Sequence, residues 1–179
     1  ELIGRMNPPG NQTNETIDFA ITGWTHYAAT DDNTRRMTAT AFEKALAQPL
    51  DKEVKAFIIR QFRTIASNEN VDVLASFLND DYLASTAAMA LVSIGTDDAH
   101  QALLTALQAD DTDVLTLANT LGQTGYQPAE PALLDLLQQN PAGEKQQVIL
   151  NALANTGTRN AIKPLSEAAK KAGYAYAKG

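Results

Sequence analysis

Apolar residues between Asp51 and Ala66 fall at Val54, Phe57, Ile58, Phe62 and Ile65, with polar and charged residues filling most of the gaps. Spacings of three and four place them on one face, so this stretch is predicted to be an amphipathic α-helix. Further on, a shorter pattern recurs. Each copy has a small or turn residue, an apolar or Ala site four positions later, and an apolar pair at seven and eight. The four copies start at Ser67 (Val71, Leu74, Ala75), Gly95 (Ala99, Ala102, Leu103), Gly125 (Ala129, Ala132, Leu133) and Gly157 (Ala161, Pro164, Leu165), which are 28, 30 and 32 residues apart. A period in that range, filled with helical spacing, predicts stacked helical hairpins.

The same patterning divides the rest of the chain. Residues 1–15 are rich in Pro, Gly and Asn and lack apolar periodicity, which predicts an extended N-terminal arm or linker. A helix is expected to follow Thr16 as N-cap and to run through Ile17, Phe19, Ala20, Trp24 and Tyr27. A second is expected over about residues 33–48, ended by the Gln48-Pro49 step. After the helix of residues 51–66, helices are expected over 71–79, 82–94, 98–109, 113–121, 128–139, 143–154 and 160–172. The resulting organisation is an arm (1–15), a repeat domain (16–172) and a tail (173–179). The fold class is all-α, a right-handed α-α superhelix of about five helical hairpins. A single hairpin cannot bury its own apolar face, so Leu103→Asp should lower the melting of the array rather than of one hairpin.

Composition agrees with that architecture. Hydrophobic residues make up 44% of the 179 positions and aromatics only 6%. That suits closely stacked helices better than a β-sandwich. No apolar run is long enough to cross a membrane and no secretory signal is visible. The chain opens on Glu1, which is read as a processed or excised form. Without cysteine there is no disulfide framework and no thiolate metal site.

Charge is segmented. Residues 1–63 carry eight basic and eight acidic side chains, residues 64–144 twelve acidic and no basic ones, and residues 145–179 six basic and one acidic. A long block without cations repels phosphates and anionic headgroups, which argues against nucleic acid and membrane surfaces as partners of the middle repeats. An acidic middle against a basic end could steer a charged protein or peptide. The plainer reading is that the acids keep an Ala- and Leu-rich array soluble.

The stretches Ser93-Ile94-Gly95-Thr96-Asp97-Asp98-Ala99 and Asn155 to Leu165 resemble HEAT repeats, in particular the shorter phycobilisome-lyase-type HEAT-like repeats. The likeness covers roughly residues 51–172 and implies a protein-binding solenoid. HEAT repeats usually carry Val-Arg early in the first helix, the Arg laddering against Asp of the adjacent repeat. Glu53-Val54-Lys55 keeps a version of this, whereas Val114-Leu115 and Gln147-Val148 have lost the cation. The middle acids are therefore expected to be less completely paired. The run from Asp51 to Gly95 also looks like the HEAT segment of large secreted bacterial proteins that carry a 3-keto-disaccharide hydrolase-type domain. That likeness implies a module of an exported, glycan-related protein, secreted or periplasmic, while the sequence by itself leaves a cytoplasmic location open.

Few residues offer chemistry. His26 and His100 are the only histidines. Neither has a visible nucleophile partner, so both are expected to be ordinary helix residues. The acidic doublets Asp80-Asp81, Asp97-Asp98 and Asp110-Asp111, with Asp113, could gather calcium or a cationic partner. Each lies where a helix begins, so helix capping is the stronger reading. Gly122-Gln123-Thr124-Gly125 is expected to be a helix–helix turn and not a phosphate loop. Trp24, His26, Tyr27, Tyr82, Tyr126, Tyr174 and Tyr176 could anchor a ligand. Trp24 and Tyr27, however, fit the apolar face of the first helix and are expected in the core.

No catalytic, cofactor-binding or metal-binding residue is assigned, and no cofactor is expected. The expected function is a non-catalytic protein–protein interaction scaffold or an intramolecular spacer. Its partner would be a protein, a peptide or a neighbouring domain of the same parent protein. The alternative is an accessory module of a secreted carbohydrate-active enzyme whose catalytic domain lies outside this chain.

Overall fold

A computed structural model describes residues 3–7, 14–109, 113–139, 141–171 and 173. Among the described residues there are ten α-helices and no strand. They are α1 (Glu15–Ala28), α2 (Asp32–Leu46), α3 (Lys52–Ile65), α4 (Val71–Ala75), α5 (Ala84–Ile94), α6 (Asp97–Leu107), α7 (Val114–Thr124), α8 (Glu130–Gln138), α9 (Gly143–Thr156) and α10 (Arg159–Lys171). In chain order they form five consecutive pairs, so the fold class is the all-α solenoid of hairpins expected from the repeat. The contacts group the chain into two compact units, Glu1–Ala102 and Leu103–Gly179.

In the first unit α1, α2 and α3 pack on one another, and α5 packs on both α3 and α4. The core there is Val54, Ile58, Ile59, Phe62 and Ile65 of α3 with Leu74, Leu78 and Leu91, and Phe42 meets Phe62 edge to face at 6.0 Å. Phe57, at the margin of the predicted stripe, is half-buried. In the second unit α9 packs against α7, α8 and α10. Leu117, Leu121, Leu133, Ile149 and Leu153 form its fully buried centre. The site four residues after each repeat start is buried every time: Val71, Ala99, Ala129 and Ala161.

Helix ends follow local chemistry. Asp51 Oδ1 accepts the Glu53 N–H at 2.8 Å and starts α3. Asp31 does the same for α2 through Thr34, and Asp113 Oδ1 for α7 through Thr116 at 3.1 Å. Hydrogen bonds from Thr116, the side chain first, hold the Asp113 carboxyl below the usual carboxylate range. The C-terminal carbonyl of Ile65 accepts Arg35 Nη1 from α2 at 3.1 Å. Gly95 and Gly125 terminate α5 and α7 in the left-handed conformation, at φ 68° and 64°.

Several expectations need correction. The first helix begins at Glu15 and not after Thr16. Asn14 precedes it without capping it, because its side chain is used elsewhere. The helix of residues 71–79 is only the short α4, where the Ser76 hydroxyl donates to the Val73 carbonyl and the chain turns. Asp80 then accepts the N–H groups of Tyr82 and Leu83, both at 2.9 Å, ahead of α5. Gly122, Gln123 and Thr124 lie inside α7, and the turn begins only at Gly125. Gly122 is there for space: a Cβ would come within 2.8 Å of the Ala152 Cα on α9.

Candidate interaction surfaces

The repeats are joined turn to turn by neutral donors. In the first unit Asn70 Nδ2 donates to Glu43 Oε1 at 2.7 Å, Asn68 Nδ2 to Asp98 Oδ2 at 2.6 Å, and the Thr96 hydroxyl to Asn68 Oδ1 at 2.6 Å. In the second unit the buried Glu130 accepts the Thr158 N–H at 2.7 Å, the Thr158 hydroxyl at 2.8 Å and Asn160 Nδ2 at 3.4 Å. The carboxylate thus sits at the start of α10, where free N–H groups favour an anion. The Thr158 N–H is the main reason that the Glu130 carboxyl titrates below the usual glutamate range. Partners 27 to 30 residues apart match the repeat period. The expectation of poorly paired acids therefore fails at Asp98 and Glu130, because amides, a hydroxyl and a backbone N–H from another repeat partner them.

Four large apolar side chains stand exposed on the first hairpin. Phe19, Trp24, Tyr27 and Met37 are 82%, 52%, 63% and 67% exposed. The expectation that Trp24 and Tyr27 belong to the core is thereby overturned. α1 buries Ile21, Thr25 and Ala28 instead, and the Thr25 hydroxyl is spent on the Ile21 carbonyl at 2.8 Å. That internal bond makes threonine acceptable in the core and leaves the aromatics outside. Trp24 is held in place: its Nε1–H donates to Thr38 Oγ1 at 3.0 Å, and Thr38 donates to the Thr34 carbonyl at 2.8 Å. Tyr27 lies 5.6 Å from Trp24, ring to ring.

Beside Trp24 runs a groove of about 630 Å³ between Met37, Ala41, Phe42, Ala45 and Leu50. Ile3 and Gly4 line it too. The arm is therefore not featureless over its described part. Ile3–Arg5 forms a 3-10 turn, and Asn14 returns to Asn7 through a reciprocal pair of 3.0 Å bonds, Asn7 N–H to Asn14 Oδ1 and Asn14 Nδ2 to the Asn7 carbonyl. Under it lies a small polar cavity of about 140 Å³, lined among others by Asp18, Glu53 and Arg60. Asp18 Oδ1 is buried without a partner there, and the cavity has room for ordered water.

A second groove, of about 520 Å³, lies between α9 and α10. Ile162 of α10 is 62% exposed nearby in sequence. The other candidates from the sequence are dispersed. His26 is exposed at the end of α1, and His100 is half-buried in α6. Asp97 and Asp98 occupy the first turn of α6, with the Thr96 hydroxyl ahead of them accepting the Ala99 N–H. Asp110, Asp111, Tyr174 and Tyr176 lie outside the described residues. No group of three or more His, Asp or Glu is placed to hold a metal, among the described residues. Tyr82 is partly exposed under Lys52 Nζ, 4.4 Å from the ring centre, a cation–π pair.

Repeat period, paired helices and turn-to-turn contacts all point to one type of array. Residues 39–120 match the family model described as HEAT repeats. No curated protein matches the chain. The matched HEAT span contains the contacts of Glu43, Asn68, Asn70, Thr96 and Asp98. HEAT repeats commonly serve as protein-interaction scaffolds. No helix among the described residues is long and apolar enough to cross a membrane.

Proposed function

We propose that this chain is a non-catalytic scaffold that binds a protein or peptide through the first hairpin, with the α1–α2 groove as the primary site. One observation carries the reading: Phe19, Trp24, Tyr27 and Met37 all stand exposed on the first hairpin, Trp24 against the Tyr27 ring and beside Met37 at the groove, while a threonine takes the core position. Aromatic and methionine side chains are the types that supply binding energy at interfaces, and leaving them in water is otherwise unfavourable. Trp24 is fixed by Thr38 and so enters an interface with little rotamer freedom to lose. The partner is a separate protein or a neighbouring domain of the same parent chain.

The test uses the full chain and the triple variant Phe19→Ser, Tyr27→Ser, Met37→Ser as paired baits in extract of the source organism. The variant should melt as the parent does and lose the partner. A partner held equally by both baits would refute the site. The role as an accessory of an exported sugar-acting enzyme rests on the resemblance of residues 51–95 alone.

A further inference from the structure

We infer that the N-terminal arm is a wall of the α1–α2 groove, and that Asn14 holds that wall in place. The inference deepens the first-hairpin reading proposed above and rests on it. One side of the groove is a single face of α2, where Thr34, Thr38, Ala41 and Ala45 recur at three- and four-residue spacing. Trp24 of α1 flanks that face, and Ile3 and Gly4 close it from the arm. About 630 Å³ stays open with the arm in position, so the arm bounds the space instead of filling it.

The arm has the local structure for this place. Ile3–Arg5 is a 3-10 turn closed by the Met6 N–H on the Ile3 carbonyl at 3.1 Å. Such a turn brings residues three apart onto one side. Ile3 and Met6 are accordingly half-buried, whereas Gly4 and Arg5 between them are exposed. Ile3 lines the groove, and Met6 lines the small polar cavity beside α3.

Asn14 fixes the far end of the arm. It stands directly before α1, where an asparagine would ordinarily cap the helix, yet both ends of its carboxamide go to Asn7 at 3.0 Å. The helix forgoes a cap and the arm is pinned. Below the pinned segment Asp18 Oδ1 has no protein partner, and the cavity of about 140 Å³ has room for water. A wall backed by such a space, and not by packed side chains alone, can shift outward to fit what enters. Among the described residues that line the groove only Lys44 is charged. The occupant is therefore an uncharged, apolar segment of the partner, gripped between Ile3 and α2.

The experiment titrates the full chain with prodan, a neutral apolar dye that accepts energy from the single Trp24. Ala41→Glu, an exposed change on the groove face, defines the groove-bound signal as the part that it removes. Ile3→Ser and Asn14→Ala should each weaken that binding roughly fivefold and keep the parent melting curve. Ile3→Leu should bind as the parent does. The double variant Ile3→Ser, Asn14→Ala should be no weaker than either single one, because both undo the same wall. Unchanged binding in Ile3→Ser and Asn14→Ala would overturn the role of the arm and leave the groove standing. Tighter binding would overturn it too, making the arm a plug that a ligand must displace. So would losses that add, or dimers that Asn14→Ala dissolves, which would seat the arm on a second copy. If Ala41→Glu removed no signal from the parent, the groove itself would not bind and both readings would fall.

Discussion

Gly122 sits in the interior of α7, where glycine weakens a helix, and the structure states why it is tolerated. A Cβ built there lies 2.8 Å from the Ala152 Cα and 3.1 Å from its Cβ, against 3.4–4 Å for ordinary contact. Gly122→Ala would therefore require α7 and α9 to part by about half an ångström or more across a crossing filled by Leu117, Leu121, Ile149 and Leu153. Overpacking of that kind costs about 1–3 kcal/mol, offset by about 0.5–1 kcal/mol of regained helix propensity. The expected net loss is up to about 2.5 kcal/mol, or a fall of up to roughly one molar in the urea midpoint. Gly23 is the internal control, since it lies inside α1 with nothing within 4 Å of its Cβ position. Gly23→Ala should gain about 0.5–1 kcal/mol. Urea unfolding followed by circular dichroism reads both. If Gly122→Ala stabilised the protein as Gly23→Ala does, the close crossing of α7 and α9 would be wrong.

Asp113→Ala removes the cap that accepts the Thr116 N–H and should cost about 1 kcal/mol by urea unfolding. The Glu130 carboxyl titrates below its unfolded value near 4.5, so the unfolded chain takes up the proton first as pH falls. Its stabilisation is complete above the ordinary glutamate range and is lost as pH drops through the folded value. Glu130→Gln should therefore flatten the acid limb of stability against pH, measured by melting between about pH 7 and 3. Asn68→Ala breaks the links to both Thr96 and Asp98 and should lower the urea midpoint by the equivalent of about 1 kcal/mol. Thr38→Val leaves the Trp24 Nε1–H without its acceptor and should alter the emission of Trp24 with little change in far-UV dichroism.

Helix existence was legible wherever periodicity and a capping residue agreed. α3 is the plainest instance, with Asp51 before it and Val54, Ile58, Phe62 and Ile65 along its buried side. The repeat was legible because the fourth position after each start must be buried to let the hairpin close. α1 was misjudged because hydrophobicity alone ranks Trp24 and Tyr27 above Thr25. No local signal shows that the threonine hydroxyl will be spent on the Ile21 carbonyl. The length of α7 was misjudged for a related reason: Gly122 signals a turn from sequence, and only its approach to Ala152, thirty residues away, shows it to be a packing residue. The polar links between turns pair residues from different repeats, so composition counted the acids but could not assign their partners. Both grooves depend on which helix lacks a neighbour, a property of the whole array.

Those polar links bear on how any binding experiment with this protein is to be interpreted. Asp98, Glu43 and Glu130 are held by amides, hydroxyls and a backbone N–H, none of which carries a full charge. Mobile ions screen charge against charge far more than they disturb short contacts between a carboxylate and a neutral donor. The array should accordingly keep its rigidity over a wide range of ionic strength. A loss of affinity on adding salt then reports the contact with the partner and not a softening of the protein that presents it.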